Sequence, residues 1–520
     1  MAENKLSKQR QNVPGIPGSF RHLSLAAGIR SSASRAPEKI ALRDRCGTRT
    51  YAQLVDRIDR VSHAVSGDLK LAPGEHCAIL ALNCNEYVEL VAGLSQVGVA
   101  AATVNPRLSE TEITAICDDA QARVLFVDSA NSEMAHGCDF ATVERIIEFG
   151  VTYENWLAGA NLNRTIPAVA EWLPFTIPYT SGTTGRPKGV LVSSRSRVLT
   201  FFGMGIEYAC YSANDRFLAI SPLCHGAGMA FPLASVYFGG YAHLMNAFDP
   251  ETFLRELSTD RISGVFMVPT HFHAIFALES NTLAALRDYE LRSVISNAAP
   301  LAQSTKEKII EYFGEGLLHE TYGSTEGGIV TNLQPADQLR KQKCVGLPFP
   351  ATEISIRNDQ GEECGPDEVG ELFSSSPYLF NGYWQRPEET AEALHEGWCT
   401  VGDLARRDEE GYIYIVDRKK DMVITGGMNV YPREIEDVLI RHPDVVEAAV
   451  IGVADDRWGE SLKAFVVTKS GQSLLADELM AFCADKLARF KIPRDFVPIE
   501  KLPRNAGGKI LKTILRTKTE

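Results

Sequence analysis

The sequence predicts an α/β fold, with a large N-terminal domain of mixed sheets flanked by helices and a small α+β C-terminal domain. The chain has 520 residues, which is too long for one hydrophobic core. From about residue 20 to residue 401, short apolar runs alternate with helical stretches. Near Asp417 this pattern gives way to a charged run and a further segment of about 100 residues, a usual domain size.

Four apolar runs in the large domain are predicted to be buried strands: residues 77–82, 122–128, 217–222 and 264–269. Helices are expected between them, including one at residues 390–396. Another is expected to begin after Ser109, where Ser109 and Glu112 have the spacing of a capping box. Buried strands that alternate with helices favour largely parallel sheets.

The C-terminal segment begins with the charged run DRKKD at residues 417–421. It continues with ITGGMNVYPREIE, two apolar stretches at residues 445–454 and 462–471, and a basic tail. We expect a polar tail at residues 1–19, an N-terminal domain at 20–418 and a C-terminal domain at 419–520. The charged run lies where the two domains join, so we expect a hinge near Lys420.

Composition excludes several classes of protein. The net charge of −13 gives no indication of a general basic surface for nucleic acid. Eleven scattered cysteines without a Cys-x-x-Cys pair favour reduced thiols over disulfides or a zinc site. The N-terminus has no apolar signal region, and the longest apolar run, residues 91–104, is too short to span a bilayer. We therefore expect a cytoplasmic protein without integral membrane association.

The stretch YTSGTTGRPKG, residues 179–189, has the composition of a phosphate-binding loop. Glycines let backbone N–H groups approach phosphate oxygens, hydroxyls add donors, and Lys188 adds charge. The spacing does not match the Walker pattern GxxxxGK[ST], because Gly189 follows the lysine. Pro187 also opposes direct continuation into a helix. The sequence therefore predicts a flexible flap over a triphosphate.

The chain resembles the AMP-forming acyl- and aryl-CoA synthetases. They belong to the adenylate-forming superfamily, with nonribosomal peptide adenylation domains and luciferases. Five motifs stand in the family order: TSGTTGRPKG, TYGSTE (residues 321–326), GWCTVGD (397–403), DRKKDMVITGG (417–427) and PRNAGGKILK (503–512). The resemblance covers nearly the whole chain after the N-terminal tail.

The resemblance implies a ligase that joins a carboxylic acid to AMP, releases pyrophosphate, and then transfers the acyl group to coenzyme A. The implied cofactors are ATP, Mg²⁺ and coenzyme A. In-line displacement at a phosphate depends on positioning and on charge neutralisation. The expected partners are the acid, ATP and coenzyme A, with no nucleic acid, while a homodimer stays open.

The resemblance also assigns roles within the nucleotide site. Tyr322 would pack against adenine, Thr325 would reach the α-phosphate, and Glu326 would hold Mg²⁺, a hard cation that prefers oxygen ligands. Asp403 would bind both ribose hydroxyls and Arg418 the ribose or a phosphate, although Val401 separates Thr400 from Gly402 where the family has Thr-Gly-Asp. The remaining implied ATP or AMP contacts are Thr180, Ser181, Gly182, Thr183, Thr184, Gly185, Lys188, Asn297, Ala298, Ala299, Pro300, Thr321, Gly323 and Ser324.

Catalysis and domain movement rest on the C-terminal motifs. The resemblance assigns adenylation to Lys509, which would bond to the carboxylate and α-phosphate oxygens after the small domain closes. Lys420 would be the hinge about which this mobile domain rotates between the two steps. Gly426 and Gly427 would line the pantetheine tunnel. With Lys509, the expected catalytic residues are Glu326, Thr325 and His225.

The acid pocket is predicted less sharply. The segment PLCHGAG, residues 222–228, matches the family stretch that places His225 near the carboxylate. Other expected lining residues are Ala227, Gly228, His271, Asn297 and Gly323. Small residues here leave space for a ring or branched chain, so an aryl, medium-chain or bulky alicyclic acid is expected. His271 and His273 would point to different helix faces, which disfavours a shared metal.

Three alternatives stay open. One is a free-standing adenylation enzyme that loads an aryl or acyl group onto a carrier protein; an amino acid is disfavoured because residues 224–231, CHGAGMAF, contain no aspartate. Another is a luciferase-like oxygenase that uses the same adenylate. The last is a non-enzymatic relative, which the intact Glu326, Asp403 and Lys509 oppose.

Overall fold

The computed structural model describes residues 22–181, 187–455, 457–469, 476–504 and 510–517. Within these residues the chain forms four sheets with helices packed on them. Sheets one, two and three consist of strands between Ile40 and Arg418, and the fourth consists of strands after the charged run at residues 417–421. The predicted mixture of a large N-terminal domain and a small C-terminal domain is thereby confirmed. The numbered boundaries and the hinge at Lys420 stay predictions.

The first sheet carries most of the residues expected around the nucleotide. Its six central strands are parallel, and antiparallel strands close both edges. In spatial order its strands are Leu347–Pro348, Gly328–Leu333, Leu318–Ser324, Ser293–Ser296, Gly264–Met267, Arg216–Ala219, Tyr241–Leu244, Ile40–Asp44 and Gly47–Thr50.

The second sheet carries the glycine-rich loop. Its first five strands are parallel, and two short antiparallel strands complete it. In spatial order its strands are Arg145–Glu148, Ala122–Val127, His76–Leu80, Ala100–Val104, Pro174–Ser181 and Pro187–Gly189, with Val192–Ser193 also paired to Pro174–Ser181.

The third sheet is antiparallel throughout, which the alternating pattern does not predict. It ends at the junction between the domains. Its strands are Leu394–His395, Trp398–Cys399, Gly370–Ser375, Asp403–Arg407 and Ile413–Arg418, with Glu353–Arg357 paired to Gly370–Ser375.

The fourth sheet forms the core of the C-terminal domain. Its strands are Met428–Val430, Val423–Thr425, Gly459–Thr468 and Val445–Asp455, with Asp495–Pro498 parallel to Gly459–Thr468. In the described part of this domain there are three helices: Pro432–Leu439, Ala476–Ala484 and Lys512–Thr517. Short 3₁₀ turns occur at Lys419–Asp421 and Arg489–Lys491, and a third precedes them in the large domain at Pro335–Asp337.

Helices cover both parallel sheets and bury the apolar faces between them. In chain order they are Leu25–Arg35, Tyr51–Gly67, Asn85–Val97, Glu110–Asp119, Ser132–Gly137, Val151–Ala158, Ser194–Glu207, Gly226–Tyr237, Pro250–Thr259, Pro269–Phe276, Ser280–Ala285, Gln303–Phe313 and Pro387–Ala393.

The structure bears out most of the predicted elements. All four apolar runs are strands, displaced by one to three residues at their ends. The capping box is present: Glu112 N donates to Ser109 Oγ, and Ser109 N donates to Glu112 Oε2 at 2.9 Å. The helix expected at residues 390–396 is only partly correct, because Leu394–His395 is a strand.

The structure bears on the expectations about membrane spans and cysteines. Among the described residues, no helix combines the length and apolar character that a membrane span requires. All eleven cysteines lie in described positions and are free thiols, mostly buried. Burial raises the pKa of several of them, including Cys117 to about 12 and Cys399 to about 12. These thiols therefore behave as small core side chains.

Candidate active site

The candidate site lies at the edge of the first sheet that is formed by the carboxyl ends of its parallel strands. Arg216–Ala219, Gly264–Met267, Ser293–Ser296 and Leu318–Ser324 are neighbouring parallel strands, so their carboxyl ends meet at this edge. The segments that follow them carry His225, His271, residues 297–300 and residues 325–326. Ligands of α/β sheets bind at such an edge. The structure therefore brings together predicted residues that are far apart in sequence.

Tyr322, Asp403 and Arg418 form one connected cluster. The Tyr322 hydroxyl donates to Asp403 Oδ2 at 2.6 Å, and Arg418 Nε lies 3.3 Å from Asp403 Oδ1. Burial and the adjacent Asp403 carboxylate raise the pKa of Tyr322 well above its usual range. The cluster joins a strand of the first sheet to two strands of the third. It holds a buried carboxylate beside an aromatic ring, which suits a ribose and its base.

Thr400 has a local structural role. Its hydroxyl donates to Glu371 Oε1 at 2.8 Å and accepts from Gly402 N at 3.1 Å. Lys419 Nζ lies 2.9 Å from the other oxygen of the same carboxylate. Thr400 therefore shapes the turn that leads into Asp403, and the inserted Val401 leaves Asp403 at the start of its strand.

Glu326 stands in the turn between two antiparallel strands, Leu318–Ser324 and Gly328–Leu333. The Ser324 hydroxyl accepts a hydrogen bond from Gly327 N at 2.8 Å and so closes this turn. The Glu326 side chain is buried, and its Oε1 accepts a hydrogen bond from the Tyr383 hydroxyl at 2.9 Å. This bond and burial raise the pKa of Tyr383.

Tyr383 links Glu326 to the glycine-rich loop, and sequence reasoning missed it. Lys188 Nζ lies 5.1 Å from the centre of the Tyr383 ring, within cation–π range. A carboxylate and an ammonium group thus face one aromatic side chain. The arrangement fits Mg²⁺, because one oxygen-donor side chain beside phosphate is a usual protein contribution for this ion.

The glycine-rich loop connects two antiparallel strands. Thr180 pairs with Lys188 and Ser181 with Pro187, so the chain turns back on itself between them. This agrees with the prediction that the loop does not enter a helix as a Walker loop does. Gly182, Thr183, Thr184 and Gly185 lie outside the described residues, as does the side chain of Ser181.

Lys509 also lies outside the described residues. The chain on either side of it is described, and Arg504 and Ile510 pair as an antiparallel bridge. Lys512 Nζ lies 2.7 Å from Glu436 Oε1, which anchors the following helix to the C-terminal domain. These contacts lie within the small domain, and the catalytic role of Lys509 stays a prediction.

Residues 297–300 follow the strand Ser293–Ser296 and are open to solvent from Ala298 onward. The Asn297 side chain accepts a hydrogen bond from Ala298 N. Ala298 has a φ of +74°, in the left-handed region that favours glycine. The Asn297 side chain thus stabilises a strained turn at the predicted site, while its contact with AMP or the acid stays a prediction.

His225 and His271 both lie near the guanidinium of Arg107. His225 caps the helix Gly226–Tyr237, and its Nε2 lies 3.5 Å from the side-chain nitrogen of Asn105. Burial lowers the pKa of His225 and lowers that of His271 to about 4, and Arg107 lowers both further. Both rings are therefore held in the neutral form. Arg107, which sequence reasoning missed, follows the strand Ala100–Val104.

The two histidines of the helix Pro269–Phe276 face different surroundings, as expected. His271 Nδ1 accepts a hydrogen bond from Val268 N at 3.3 Å, and its ring centre lies 4.4 Å from that of Phe248. His273 is exposed.

Two glycines of the predicted acid pocket pack closely against backbone. A Cβ on Gly228 would lie 2.1 Å from the Pro222 carbonyl oxygen, and one on Gly323 would lie 2.1 Å from the Gly328 carbonyl oxygen. Each glycine permits this close backbone packing, and its role in lining the acid pocket stays a prediction. Ala227 is partly buried against the core.

Gly426 and Gly427 form the turn of the hairpin between Val423–Thr425 and Met428–Val430. Both have positive φ, +58° and +79°, as a two-residue hairpin turn demands. A Cβ on Gly426 would lie 2.8 Å from the Trp458 indole, whereas nothing lies within 4 Å of that position on Gly427. Only Gly427 faces open space, so the tunnel role stays a prediction.

One other cluster has side chains that can ligate a metal. Among the described residues it consists of His243, Glu256 and Asp260. Arg43 Nη1 already lies 2.6 Å from Asp260 Oδ1 and 3.7 Å from Glu256 Oε2. Because this arginine lies within ion-pair distance of both carboxylates, the cluster is a structural charge network.

Two family profiles match the chain. The AMP-binding enzyme profile matches residues 29–384, and the AMP-binding enzyme C-terminal domain profile matches residues 434–509. The chain is 32% identical over 493 residues to 2-succinylbenzoate–CoA ligase of Geobacillus kaustophilus, covering 94% of this chain and 96% of the relative. It is 33% identical over 502 residues to feruloyl-CoA synthase of an Amycolatopsis species, covering 93% and 96%.

Solved structures show the same fold over nearly the whole chain. The o-succinylbenzoate CoA synthetase of Bacillus subtilis, in complex with its acyl-adenylate intermediate, is 28% identical, with a TM-score of 0.83 and coverage of 94% of this chain and 97% of that one. ATP-bound MatB from Rhodopseudomonas palustris is 27% identical, with a TM-score of 0.86 and coverage of 95% and 98%. The predicted cofactors ATP, Mg²⁺ and coenzyme A are those of this enzyme class. The chain therefore belongs to the AMP-binding enzyme family, and the prediction of an AMP-forming acid–CoA ligase is confirmed.

Proposed function

We propose that this ligase activates an aryl carboxylic acid as its acyl-adenylate and then transfers the acyl group to coenzyme A. The proposal rests on two side-chain clusters at one sheet edge, which the segment 322–326 connects. They are Tyr322–Asp403–Arg418 and Lys188–Tyr383–Glu326. The aryl class is supported by relatives named for feruloyl, indoleacetate and 2-succinylbenzoate activation.

In the first step an oxygen of the carboxylate attacks the α-phosphorus of ATP. The bond from that phosphorus to pyrophosphate breaks, and the acid becomes a mixed anhydride with AMP. The Tyr322–Asp403–Arg418 cluster holds the nucleoside, which fixes the α-phosphate for in-line attack. Lys188 would offset phosphate charge, and the Thr325 hydroxyl would donate a hydrogen bond to a phosphate oxygen. Glu326 would hold Mg²⁺, which would supply further charge neutralisation.

In the second step the sulfur of coenzyme A attacks the acyl carbon and AMP leaves. The neutral forms of His225 and His271, favoured by burial and by Arg107, keep added positive charge away from the bound acyl group. The hairpin turn at Gly427 offers open space for the pantetheine arm. Rotation of the small domain about Lys420 would exchange Lys509 for this hairpin.

The direct test measures pyrophosphate release from Mg-ATP over a panel of carboxylic acids, with and without coenzyme A, and identifies the products by mass spectrometry. We expect an aryl-CoA thioester, with aryl acids preferred over straight-chain acids. Oxygen consumption with an adenylate product would indicate a luciferase-like reaction. Absence of turnover with every acid would contradict the proposal.

A second test separates the two half-reactions. We expect Lys509→Ala to lower acid-dependent pyrophosphate release by at least about 100-fold, since one charge-assisted contact to the transition state is lost. Thioester formation from a supplied acyl-adenylate should be nearly unaffected, because Lys509 is withdrawn in that step. Lys501→Ala in the same C-terminal region is a matched control at an exposed position. Equal loss of both half-reactions would contradict the alternation of domains.

A carrier protein as the final acceptor is the second candidate. It is favoured by one relative, the fatty acid–[acyl-carrier-protein] ligase ScoC of Streptomyces coeruleorubidus, 32% identical over 481 residues. Adenylate formation without a coenzyme A thioester would support this acceptor. A homodimer and a cytoplasmic location stay predictions, which size-exclusion chromatography and cell fractionation would test.

A further inference from the structure

Arg197 is a half-buried arginine of the large domain that has no counter-ion among the described residues. It lies in the helix Ser194–Glu207, where its side chain is only partly exposed. Its Nε is buried and has no hydrogen-bond partner, and no ion pair among the described residues includes it. Arg195, two residues earlier, differs sharply, because its Nη1 lies 2.7 Å from Glu171 Oε1.

An unpaired cation in such a position is costly. Burial alone lowers the pKa of Arg197 to about 10, although an arginine in water stays charged far above that pH. Buried charges in proteins are normally paired or bound to a ligand. A side chain that the fold leaves unsatisfied is therefore expected to meet its anion from outside the chain.

The guanidinium of Arg197 faces the candidate site. A Cβ placed on Gly226 would lie 3.9 Å from Arg197 Nη2 and 3.9 Å from the Thr325 methyl carbon. Because glycine has no side chain, the guanidinium and the Thr325 methyl group both border the space beside Gly226. Gly226 is also the first residue of the helix that His225 caps, so this space borders the predicted acid pocket.

The charges around this space are positive. Arg107 is the charged group that acts on both His225 and His271, and no carboxylate contributes to the pKa of Arg197 or of either histidine. The reacting carboxylate of the substrate loses its charge when it becomes a mixed anhydride. A second carboxylate on the same molecule would keep its charge through both steps.

We propose that Arg197 binds a second carboxylate of the acid, so that the substrate of this ligase is a dicarboxylic acid. The inference rests on the proposed function and narrows its substrate class. A guanidinium can bind a carboxylate through two parallel hydrogen bonds, which fixes orientation as well as charge. The distal carboxylate would then hold the molecule while the other carboxylate meets ATP.

The test uses aryl acids that carry a second carboxylate on the ring or on a short side chain, each paired with the methyl ester of that second group. For the wild-type enzyme we expect kcat/KM for pyrophosphate release to favour the diacid on the order of 100-fold, the usual effect of one buried charge pair. In Arg197→Met this ratio should fall to near one. Arg197→Lys, which keeps the charge, should give an intermediate ratio.

Arg255→Met is the matched control, because it removes the same charge from an exposed helix position. It should leave the wild-type ratio of diacid to monoester. A wild-type ratio near one would overturn the inference while the proposed function stands. An Arg197→Met enzyme that loses activity equally on diacid and monoester would also overturn it, and would place Arg197 on the α-phosphate.

The inference can fail separately from the proposed function. If no acid releases pyrophosphate, the proposed function is wrong, and calorimetric titration of the same diacids with the full-length protein decides about Arg197 alone. Binding that weakens on the order of 100-fold in Arg197→Met supports the anion site. Absence of binding to the wild-type protein overturns it.

Discussion

Tyr383 contributes two contacts to the candidate site with different parts of its side chain. Its hydroxyl donates to Glu326, whereas its ring faces Lys188. We expect Tyr383→Phe to raise the Mg²⁺ concentration for half-maximal pyrophosphate release by about five- to tenfold, because a lost hydrogen bond to a carboxylate frees Glu326 to move. A titration with Mg²⁺ at saturating ATP measures this.

A second variant separates the contribution of the Tyr383 ring from that of its hydroxyl. Tyr383→Leu removes the aromatic face as well, so we expect it to raise KM for ATP in addition to the Mg²⁺ requirement. Tyr383→Phe should leave KM for ATP close to that of the wild type. An unchanged Mg²⁺ requirement in Tyr383→Phe would show that the hydroxyl does not position Glu326.

Motifs carry some of these side chains and not others. Tyr322, Asp403 and Glu326 stand in recognisable motifs, so their roles could be predicted before any geometry was known. Tyr383 and Arg197 meet the site only because the chain brings together segments that no local pattern connects. The Tyr383–Glu326 bond spans 57 residues. That Arg197 has no counter-ion among the described residues is visible only in three dimensions.

The strand Leu318–Ser324 carries a buried histidine that makes folding sensitive to acid. His319 is buried in the strand beside the Tyr208 ring, with its Nδ1 3.1 Å from the Asn332 side-chain nitrogen. Burial lowers the pKa of His319 to about 4. An unfolded histidine titrates near 6.5, so the unfolded state binds the proton first as pH falls. Stability is therefore lost between about pH 6.5 and pH 4.

We expect His319 to account for about 2 kcal/mol of the stability lost between pH 7 and pH 5. His319→Gln cannot gain a proton in this range. Urea unfolding at the two pH values should show a smaller loss in this variant than in the wild type. His395→Gln, at an exposed position, is the control. An equal loss in His319→Gln and in the wild type would contradict the assignment.

The parallel sheets were predictable because buried strands and amphipathic helices leave strong periodic patterns. The third sheet was not, since two of its strands, Leu394–His395 and Trp398–Cys399, are only two residues long. Pairing between distant segments defines strands of that length, and local composition does not. The same limit explains why the predicted helix at residues 390–396 ends early, at Ala393.

Polar contacts cross the domain junction. Arg433 N donates to Asp417 Oδ2 at 3.0 Å, and the side chains of Lys343 and Asp437 form an ion pair. Lys343 is largely exposed, and exposed ion pairs of this kind contribute only about 0–1 kcal/mol. Such contacts define one arrangement of the small domain without locking it. This is what a domain that rotates between two reaction steps requires.

A chemical lock at this junction would test the rotation. We expect Lys343→Cys combined with Asp437→Cys, joined by a short bismaleimide, to hold the small domain in the arrangement described here. The locked enzyme should keep one half-reaction and lose the other by at least about 100-fold, because each step needs its own position of the C-terminal residues. Pyrophosphate release measures adenylation. Thioester formation from a supplied acyl-adenylate measures the second half-reaction.

A native thiol at the surface would also react with the bismaleimide. Cys46 is the exposed native cysteine, so the double-cysteine variant and its single-cysteine control both carry Cys46→Ser. Lys343→Cys alone, treated with the same reagent, controls for modification of the remaining thiols. If the locked enzyme keeps both rates, the small domain need not rotate. If it loses both equally, this arrangement serves neither step. Loss of one step alone would show that the weak junction lets a single chain carry out two reactions that need different residues.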